Sequence, residues 1–171
     1  MENLKENILV KLAQSGNKEA FIALLKSVEK KLFRVASIIS PQEADDIIQE
    51  TFLQAYLSIK KFRGNSSFYT WIYRIMMNII YKKNRRKKLV FKNYYSTSYL
   101  DNEDEELKER LRECLRKLHP MFSEIITLFY FEDYTIKEIS ELLKIKEGTV
   151  KSRLFKAKKL LKKMIEKNEP F

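Results

Sequence analysis

The sequence predicts an all-α fold of two small helical domains joined by a flexible linker, the C-terminal one a helix-turn-helix. Of its 171 residues only 3 are glycine and 3 are proline, which is typical of a mostly helical protein. Apolar residues recur at three- and four-residue steps along nearly every segment, as one face of an α-helix requires. This periodicity fails between about Leu89 and Glu106, and we therefore expect domains at 1–88 and 107–171 and a linker at 89–106.

The first domain is predicted to contain three long helices. Asn17 can cap the first of them, whose apolar positions are Phe21, Leu24, Leu25, Val28, Leu32 and Val35. Ser40 and Pro41 have the pattern of an N-cap followed by proline, which predicts a second helix to about Ile59. A turn is expected at 63–67. Helical spacing then resumes and continues into the basic run 82–88, with apolar positions at Phe68, Trp71, Ile72, Ile75, Ile79 and Ile80.

The segment between the domains is rich in Tyr, Ser and Asn at 93–99 and acidic at 101–106, as a linker often is. The second domain opens with an apolar stripe formed by Leu107, Leu111, Cys114, Leu115 and Leu118. Pro120 interrupts the pattern, and a mostly apolar helix follows through Ile125, Ile126, Phe129 and Tyr130. We expect Cys114 to be a buried small apolar residue and His119 to mark a helix boundary.

A helix-turn-helix is predicted near the C-terminus. Thr135 and Glu138 have the spacing of a capping box, which opens a short helix with Ile139, Leu142 and Leu143 facing inward. A second helix begins near Glu147, with an apolar stripe of Val150, Leu154, Ala157, Leu161 and Met164. Its other face carries Lys151, Ser152, Arg153, Lys156, Lys158 and Lys159. Such a helix suits the DNA major groove, where Arg153 or Ser152 could reach base edges; a solvated lysine-rich helix is the simpler alternative.

The net charge of +11 is distributed unevenly. Residues 51–100 carry 11 basic residues and no acidic one, and residues 151–171 carry 8 basic and 2 acidic residues. Residues 101–150 between them carry 8 basic and 13 acidic residues. Two basic blocks that flank an acidic stretch predict two separate contacts with a polyanion, whereas a generally basic protein is the alternative.

Several classes of function are disfavoured. No apolar stretch approaches the roughly 18 residues of a membrane helix, and the charged N-terminus lacks a signal-peptide pattern, so we expect a cytoplasmic protein without membrane insertion. A lone cysteine excludes an internal disulfide and a multi-cysteine zinc site. We expect no catalytic residue, metal or cofactor, because no histidine or phosphate-binding loop accompanies the paired carboxylates near Asp46.

Two segments of the first domain carry further signals. Residues 45–52 are amphipathic and place Asp46, Gln49 and Glu50 on one exposed side. Residues 62–74 contain five aromatic residues and two arginines but no acid. That composition suits melted single-stranded DNA, because each base stacked on an aromatic ring contributes ~1–3 kcal/mol. We expect Trp71 to be packed in the core. The rings of Phe62, Tyr69 and Tyr73 are better placed for exposure.

From Asn17 to Leu161 the motifs resemble, in their order, the extracytoplasmic-function (ECF) sigma factors of the sigma-70 family, which direct bacterial RNA polymerase to promoters. The matching motifs are Asp-Ile-Ile-Gln-Glu-Thr-Phe at 46–52, Phe-Arg-Gly at 62–64, Ser-Phe-Tyr-Thr-Trp at 67–71, Tyr-Arg-Ile at 73–75 with Asn78, and Gly-Thr-Val-Lys-Ser-Arg-Leu at 148–154. The short linker favours the ECF group over larger sigma factors. The family usually has glycine where this chain has Lys144, which puts the geometry of that turn in question.

The resemblance implies a role for each motif. Core RNA polymerase, through its beta-prime and beta subunits, is the first partner, and the residues implied to bind it are Asp46, Gln49, Glu50 and Phe52. Promoter DNA is the second, as duplex and as melted single strand. The residues implied to contact the −10 element are Phe62, Arg63, Gly64, Ser67, Tyr69, Thr70, Tyr73, Arg74, Asn78, Lys82 and Arg85. Those implied to contact the −35 element are Glu147, Gly148, Thr149, Lys151, Ser152, Arg153 and Lys156. Many members of the family are also held inactive by an anti-sigma factor, which makes such a protein a third candidate partner.

Two other functions stay open from the residues alone. A helix-turn-helix regulator that binds duplex operators as a dimer would use residues 134–164 and leave 45–52 and 62–74 unexplained. An accessory protein that binds single-stranded nucleic acid would use 62–74 and the basic run, and leave the helix-turn-helix idle. Dependence on core polymerase distinguishes the three functions.

Overall fold

The computed structural model describes residues 2–90 and 103–166, with side chains described for 4–85 and 110–165. Within these ranges the chain forms eight α-helices and no strand, which confirms the predicted all-α class. Its contacts divide it into two compact units, Met1–Lys82 and Lys83–Phe171. Among the described helices, none has the length and apolarity needed to cross a membrane.

The first unit is built from α1 (Glu2–Gln14), α2 (Lys18–Ile39), α3 (Ala44–Ser58) and the greater part of α4 (Phe68–Val90), which continues past the boundary at Lys82. No helix was predicted for the α1 segment. The predicted cap of α2 is confirmed, since the side-chain oxygen of Asn17 accepts a hydrogen bond from the backbone amide of Ala20 at 2.7 Å. Gly16, with φ of 98°, supplies the left-handed backbone that separates α1 from α2.

The start of α3 differs from the prediction. Ser40 ends α2, because its backbone amide donates to the carbonyl of Ala36 at 2.7 Å, and its side chain makes no capping bond. Pro41–Glu43 is a single 3-10 turn, and the α-helix begins at Ala44. A second 3-10 turn, Ile59–Lys61, follows α3 and leads the chain towards the loop before α4.

The core of the first unit joins α2, α3 and α4. The predicted apolar stripe of α2 is buried at Phe21, Leu24, Val28, Leu32 and Val35, whereas Leu25 is half-buried. Helix α3 packs against α2 and contributes Ile47, Ile48 and Ala55, and α4 contributes the buried side chains of Phe68, Ile72, Met76 and Ile80. Thr51 lies within this core, and its hydroxyl is satisfied by donating to the carbonyl of Ile47 at 2.6 Å. The buried faces leave the opposite sides of α3 and α4 open to a partner.

The second unit contains α5 (Glu103–Lys117), α6 (Pro120–Ile126), a π-helical turn (Thr127–Phe131), α7 (Ile136–Leu143) and α8 (Glu147–Glu166). Residues 103–106, which were assigned to the linker, are therefore helical. Acidic residues suit the positive end of a helix dipole, so a run of them can begin a helix as readily as it can form a linker. Most of the predicted linker, residues 91–102, lies outside the described residues.

The core of the second unit confirms the expected burial of Cys114. The cysteine is buried, as are Leu115, Leu118, Ile125 and Leu128, and burial raises the pKa of its thiol. The hydroxyl of Ser123 donates to the carbonyl of Leu115 and so ties α6 to α5. His119 stands at the predicted boundary, where its Nδ1 accepts from the backbone amide of Met121 at 3.3 Å and caps α6.

Candidate polymerase and nucleic-acid interfaces

The outer side of α3 presents both polar and apolar groups. Asp46 and Gln49 are exposed, as predicted, while Glu50 and Phe52 are half-buried. Leu53 and Leu57, one and two turns further on, are 57% and 66% exposed. Leucines exposed on consecutive turns form an apolar stripe, unlike single scattered leucines. Such a stripe beside acidic groups is typical of a surface that docks a partner. We call Asp46, Gln49, Glu50, Leu53 and Leu57 the α3 face.

The loop between α3 and α4, residues 62–67, is held at its second end by Ser67. The Ser67 hydroxyl oxygen accepts from the backbone amide of Thr70 at 3.1 Å, which caps α4, and its proton is donated to the Thr70 hydroxyl at 2.9 Å. Gly64 has φ of 71°, a conformation that side chains with a Cβ rarely adopt. Arg63, Gly64 and Asn65 are all exposed, so the apex of the 62–67 loop projects into solvent.

The prediction that Phe62 and Tyr73 are exposed is wrong. Phe62 is only 8% exposed and Tyr73 is fully buried. Phe62 packs against Phe68 and Trp71, with ring centroids 6.3 and 5.0 Å away, so it closes the base of the loop. The apolar face of α4 is wide enough to include position 73 beside Ile72, Met76 and Met77, which a single helical stripe does not reveal.

The other two aromatic residues of this segment, Trp71 and Tyr69, are half-buried. Trp71 is therefore not fully within the core as expected, but its ring packs against those of Phe62 and Phe68, 5.0 and 5.7 Å away. Tyr69 is half-buried, and its ring lies 5.8 Å from that of Tyr73. The ammonium of Lys31 lies 5.8 Å from the centre of the Tyr69 ring, a distance at which a cation is attracted to the ring face.

Four polar residues follow one another at three- and four-residue steps along α4. Arg74 is half-buried, and Asn78, Lys82 and Arg85 are exposed. Their spacing places them on one side of the helix, so they form a continuous polar track. Partial burial lowers the pKa of Arg74 from its ordinary value, but arginine stays charged near neutral pH. Of the basic run 82–88, the side chains beyond Arg85 lie outside the described residues.

The predicted helix-turn-helix is confirmed as α7 and α8. Thr135 and Glu138 form the capping box at the start of α7. Lys144 ends that helix with φ of 54° and ψ of 44°, so the chain keeps the left-handed turn conformation even though lysine replaces the expected glycine. The departure in sequence therefore does not change the kind of turn.

The first half of α8 presents the residues predicted to face DNA. Val150, Leu154 and Ala157 are buried as predicted, whereas Leu161 and Met164 are half-buried. The exposed side chains and backbone positions are Glu147, Gly148, Lys151, Ser152 and Lys156, with Thr149 and Arg153 half-buried. Between Glu147 and Glu166 the sequence contains no acid, so the surface of α8 is cationic along nearly its whole length.

Sequence reasoning missed Phe155 on this helix. Its side chain is 73% exposed, more than any other described large apolar residue. It lies one turn after Lys151 and Ser152, on the side of α8 that faces away from the core. Its position outside the apolar stripe could have identified it, because packing of the core does not explain a phenylalanine among lysines on the outward face of a helix.

An apolar groove in the second unit was also missed. It has a volume of about 520 Å³ and is lined by Leu111, Ile126, Tyr130, Phe131, Lys158, Leu161, Lys162 and Ile165. The floor is apolar and two lysines stand at its rim. The α8 residues that line it come from the second half of the helix, so the groove does not include the positions near Ser152.

The described residues contain no cluster suited to hold a metal ion. Nowhere in 4–85 or 110–165 do three or more His, Cys, Asp or Glu side chains cluster as a metal site would require. The arrangement is instead one of exposed faces, each with its own charge and apolarity. Such surfaces bind macromolecules.

Comparison with known proteins agrees with this arrangement. Residues 21–90 match the family model of Sigma-70 region 2, and residues 108–161 match that of Sigma-70, region 4. The ECF RNA polymerase sigma-E factor of Haemophilus influenzae is 30% identical over 184 residues, which cover 96% of this chain and 97% of that protein.

Solved structures share the fold. CnrH in complex with the cytosolic domain of CnrY has a TM-score of 0.68 and 24% identity, over 96% of this chain and 99% of that one. The sigma factor RpoE in complex with the anti-sigma factor NepR from Bartonella quintana has a TM-score of 0.64 and 20% identity, over 87% and 98%. The two family matches follow one another along the chain in the order that the sequence motifs predict. The chain belongs to the sigma-70 family, in the ECF group of RNA polymerase sigma factors.

Proposed function

We propose that this chain binds core RNA polymerase and directs it to promoters through three surfaces that act together. The carrying observation is that one chain combines the α3 face, the exposed 62–67 loop with the polar track of α4, and the cationic helix α8. A duplex-binding regulator would need only α8, and a single-strand binder only the loop and track. Only a polymerase-dependent promoter factor uses all three.

The α3 face is proposed to dock on the beta-prime subunit of the polymerase. Asp46 and Glu50 supply charge that can fix the orientation of a basic partner, and Leu53 and Leu57 supply apolar area that loses contact with water on docking. Phe52 is half-buried, so only part of its ring is available to a partner. Core polymerase acts in the cytoplasm, which is where we place the protein.

The 62–67 loop and α4 are proposed to capture the −10 element. Arg63 and the exposed backbone at Gly64 can reach a base that leaves the stack, with Ser67 and Thr70 fixing the second end of the loop. Asn78, Lys82 and Arg85 then meet the adjacent backbone, with Arg74 at the base of the track. Tyr69 remains a candidate for base stacking, whereas Phe62 and Tyr73 support the loop from within the core.

Helix α8 is proposed to read the −35 element in the major groove. Lys151 and Lys156 are placed for phosphates, and Ser152 and Arg153 for base edges, near the helix N-terminus formed by Glu147, Gly148 and Thr149. Phe155 adds an apolar group that can contact a thymine methyl. The apolar groove at the other end of α8 is proposed to contact the beta subunit while the reading face stays on DNA.

An anti-sigma factor is a further proposed partner. The support is the similarity of fold to RpoE, which was solved with the anti-sigma factor NepR. Leu53 and Leu57 of the α3 face and the apolar groove are exposed in the described part of the chain, and an inhibitor that covers them would compete with polymerase.

Run-off transcription from a genomic promoter library tests the proposal. Core polymerase is assayed alone and with the chain added, and transcript start sites are mapped. Defined start sites that require both proteins, with shared sequences near −35 and −10, are the expected result. Binding of duplex DNA by the chain alone, with no gain in transcription, would favour a conventional regulator instead.

A further inference from the structure

Helix α1 lies before residues 21–90, which match Sigma-70 region 2, and the surfaces proposed above give it no role. It is nonetheless fixed to the first unit. Val10 and Ala13 are buried, and the backbone amide of Asn17 donates to the carbonyl of Leu12 at 3.0 Å where the chain turns into α2. A helix held in this way can position whatever its polar side chains contact.

Gln14, at the end of α1, contacts the first end of the 62–67 loop. Its Nε2 donates to the carbonyl of Ile59 at 3.1 Å and to the carbonyl of Phe62 at 2.7 Å. These two carbonyls belong to the first residue of the 3-10 turn that leads into the loop and to the residue that follows this turn. A side-chain amide is suited to this contact because one nitrogen supplies two donors.

Glu6, two turns earlier on α1, contacts the second end of the loop. Its Oε1 accepts from the backbone amide of Phe68 at 3.0 Å, across 62 positions of sequence. Phe68 is the first residue of α4, so its amide has no partner within the helix. A carboxylate is favoured there because it also faces the positive end of the helix dipole.

The two contacts fix both ends of the loop to one rigid helix. Gln14 contacts Phe62, and Glu6 contacts Phe68. The rings of Phe62 and Phe68 also pack against each other, with their centroids 6.3 Å apart. Between them, Arg63, Gly64 and Asn65 are exposed. Anchored ends with an open apex lower the entropy that the loop would otherwise lose when it binds a strand.

We propose that Glu6 and Gln14 are positioning residues for promoter opening, which hold the 62–67 loop ready to capture the −10 strand. The inference rests on the proposed function of that loop. It assigns to α1 a share of the strand-opening step, separate from polymerase binding and from −35 recognition.

The test uses the full chain with core polymerase and a linear promoter duplex recovered from the run-off screen, with 2-aminopurine placed in its −10 element. The rate of opening is measured against holoenzyme concentration. Gln14→Glu keeps the size of the side chain but removes both donors. It is expected to slow the opening step at least tenfold, because both hydrogen bonds are lost and the new carboxylate is repelled by the two carbonyl oxygens, with the half-saturating concentration unchanged.

Two variants of Glu6 test the same contact at the other end of the loop. Glu6→Ala removes the acceptor and should also slow opening about tenfold. Glu6→Gln keeps an acceptor oxygen without the charge and should stay within about twofold of the parent. Glu29→Gln, an exposed glutamate of α2, is the matched control for loss of one negative charge.

Arg63→Ala in the loop separates this inference from the proposed function. If it slows opening while Gln14→Glu and Glu6→Ala do not, the role of α1 is refuted and the role of the loop stands. If none of the three slows opening, both are refuted. If Gln14→Glu raises only the half-saturating concentration, α1 merely supports the fold and the positioning role is refuted.

Discussion

The carboxylate of Glu138 accepts hydrogen bonds from both the backbone amide and the hydroxyl of Thr135, at 2.8 and 2.7 Å, while Thr135 Oγ1 accepts from the amide of Glu138 at 3.2 Å. This reciprocal pair begins α7 and so sets where the helix-turn-helix starts. The bond from the Thr135 hydroxyl, followed by that from its backbone, lowers the pKa of Glu138 from its ordinary value.

The first prediction follows from that lowered pKa. A carboxylate with a depressed folded-state pKa stabilises the fold fully above its unfolded-state pKa and loses this contribution as pH falls through the folded value. Urea unfolding, followed through methyl resonances of Ile139 and Leu142, should therefore show a larger loss of stability between pH 7 and acidic pH in the parent than in Glu138→Gln. An equal loss in both proteins would show that Glu138 does not contribute to the pH dependence.

The cap itself can be tested at neutral pH. Thr135→Ala removes the oxygen that accepts from the amide of Glu138 and should cost about 1 kcal/mol of the stability of the second unit. Thr135→Ser keeps a hydroxyl at the same position and should retain most of the stability. The same methyl resonances report both values, and a serine variant as unstable as the alanine variant would contradict the capping account.

Lys144 offers a stabilising substitution. Its backbone has φ of 54°, a conformation in which a residue with a Cβ is strained by roughly 1–2 kcal/mol. Lys144→Gly should relieve that strain, whereas the greater freedom of glycine in the unfolded chain opposes folding. The net expected increase in the free energy of unfolding is about 0.5–1 kcal/mol. Lys144→Ala removes the same charge without relief and should show no gain. Equal unfolding midpoints for the two variants would show that strain is not the cause.

The sequence was sufficient for the class of fold and for most of the apolar faces, because helical periodicity is local information. It placed the caps at Asn17 and Thr135 for the same reason. It did not reveal α1 as a helix or its contacts with Ile59, Phe62 and Phe68, which join residues 45 or more positions apart.

The errors at Phe62 and Tyr73 have a related cause. Aromatic composition indicates that a segment can stack on bases, but it does not say which rings the core takes. In this chain Phe62 packs against Trp71 at the base of the loop, and Tyr73 lies on the buried face of α4. Exposure of Arg63 and Gly64, by contrast, was predictable from the turn signal because turns lie at the surface.

The salt dependence of promoter binding distinguishes the charged contacts of α8 from its uncharged ones. Lys156→Ala should weaken binding of holoenzyme to a promoter duplex and lower the slope of log affinity against log salt by about 0.9, as expected for one lost phosphate contact. Phe155→Ala, one position away and uncharged, should weaken binding with no change of slope. Identical slopes for Lys156→Ala and the parent would refute a phosphate contact by Lys156.

Replacement of thymine by deoxyuridine in the −35 element tests Phe155 further. If Phe155 contacts a thymine methyl, one such replacement should weaken the parent but leave Phe155→Ala unaffected. Affinity is measured by competition between promoter duplexes at fixed salt. A parent that tolerates deoxyuridine at every thymine of the element would exclude this contact.

Action through core polymerase is measured by reconstituted transcription from one recovered promoter. Core alone, core with the parent chain, and core with Asp46→Lys are compared, with Glu29→Lys as the control for an exposed charge reversal on α2. Core polymerase alone is expected to give no specific transcript, and the parent and Glu29→Lys to give equal amounts. Asp46→Lys should give about tenfold less, since the reversal costs about 1.4 kcal/mol or more in polymerase affinity. Equal transcription with Asp46→Lys at limiting concentrations would refute docking through the α3 face, and no specific transcript with the parent chain would refute the proposed action through polymerase.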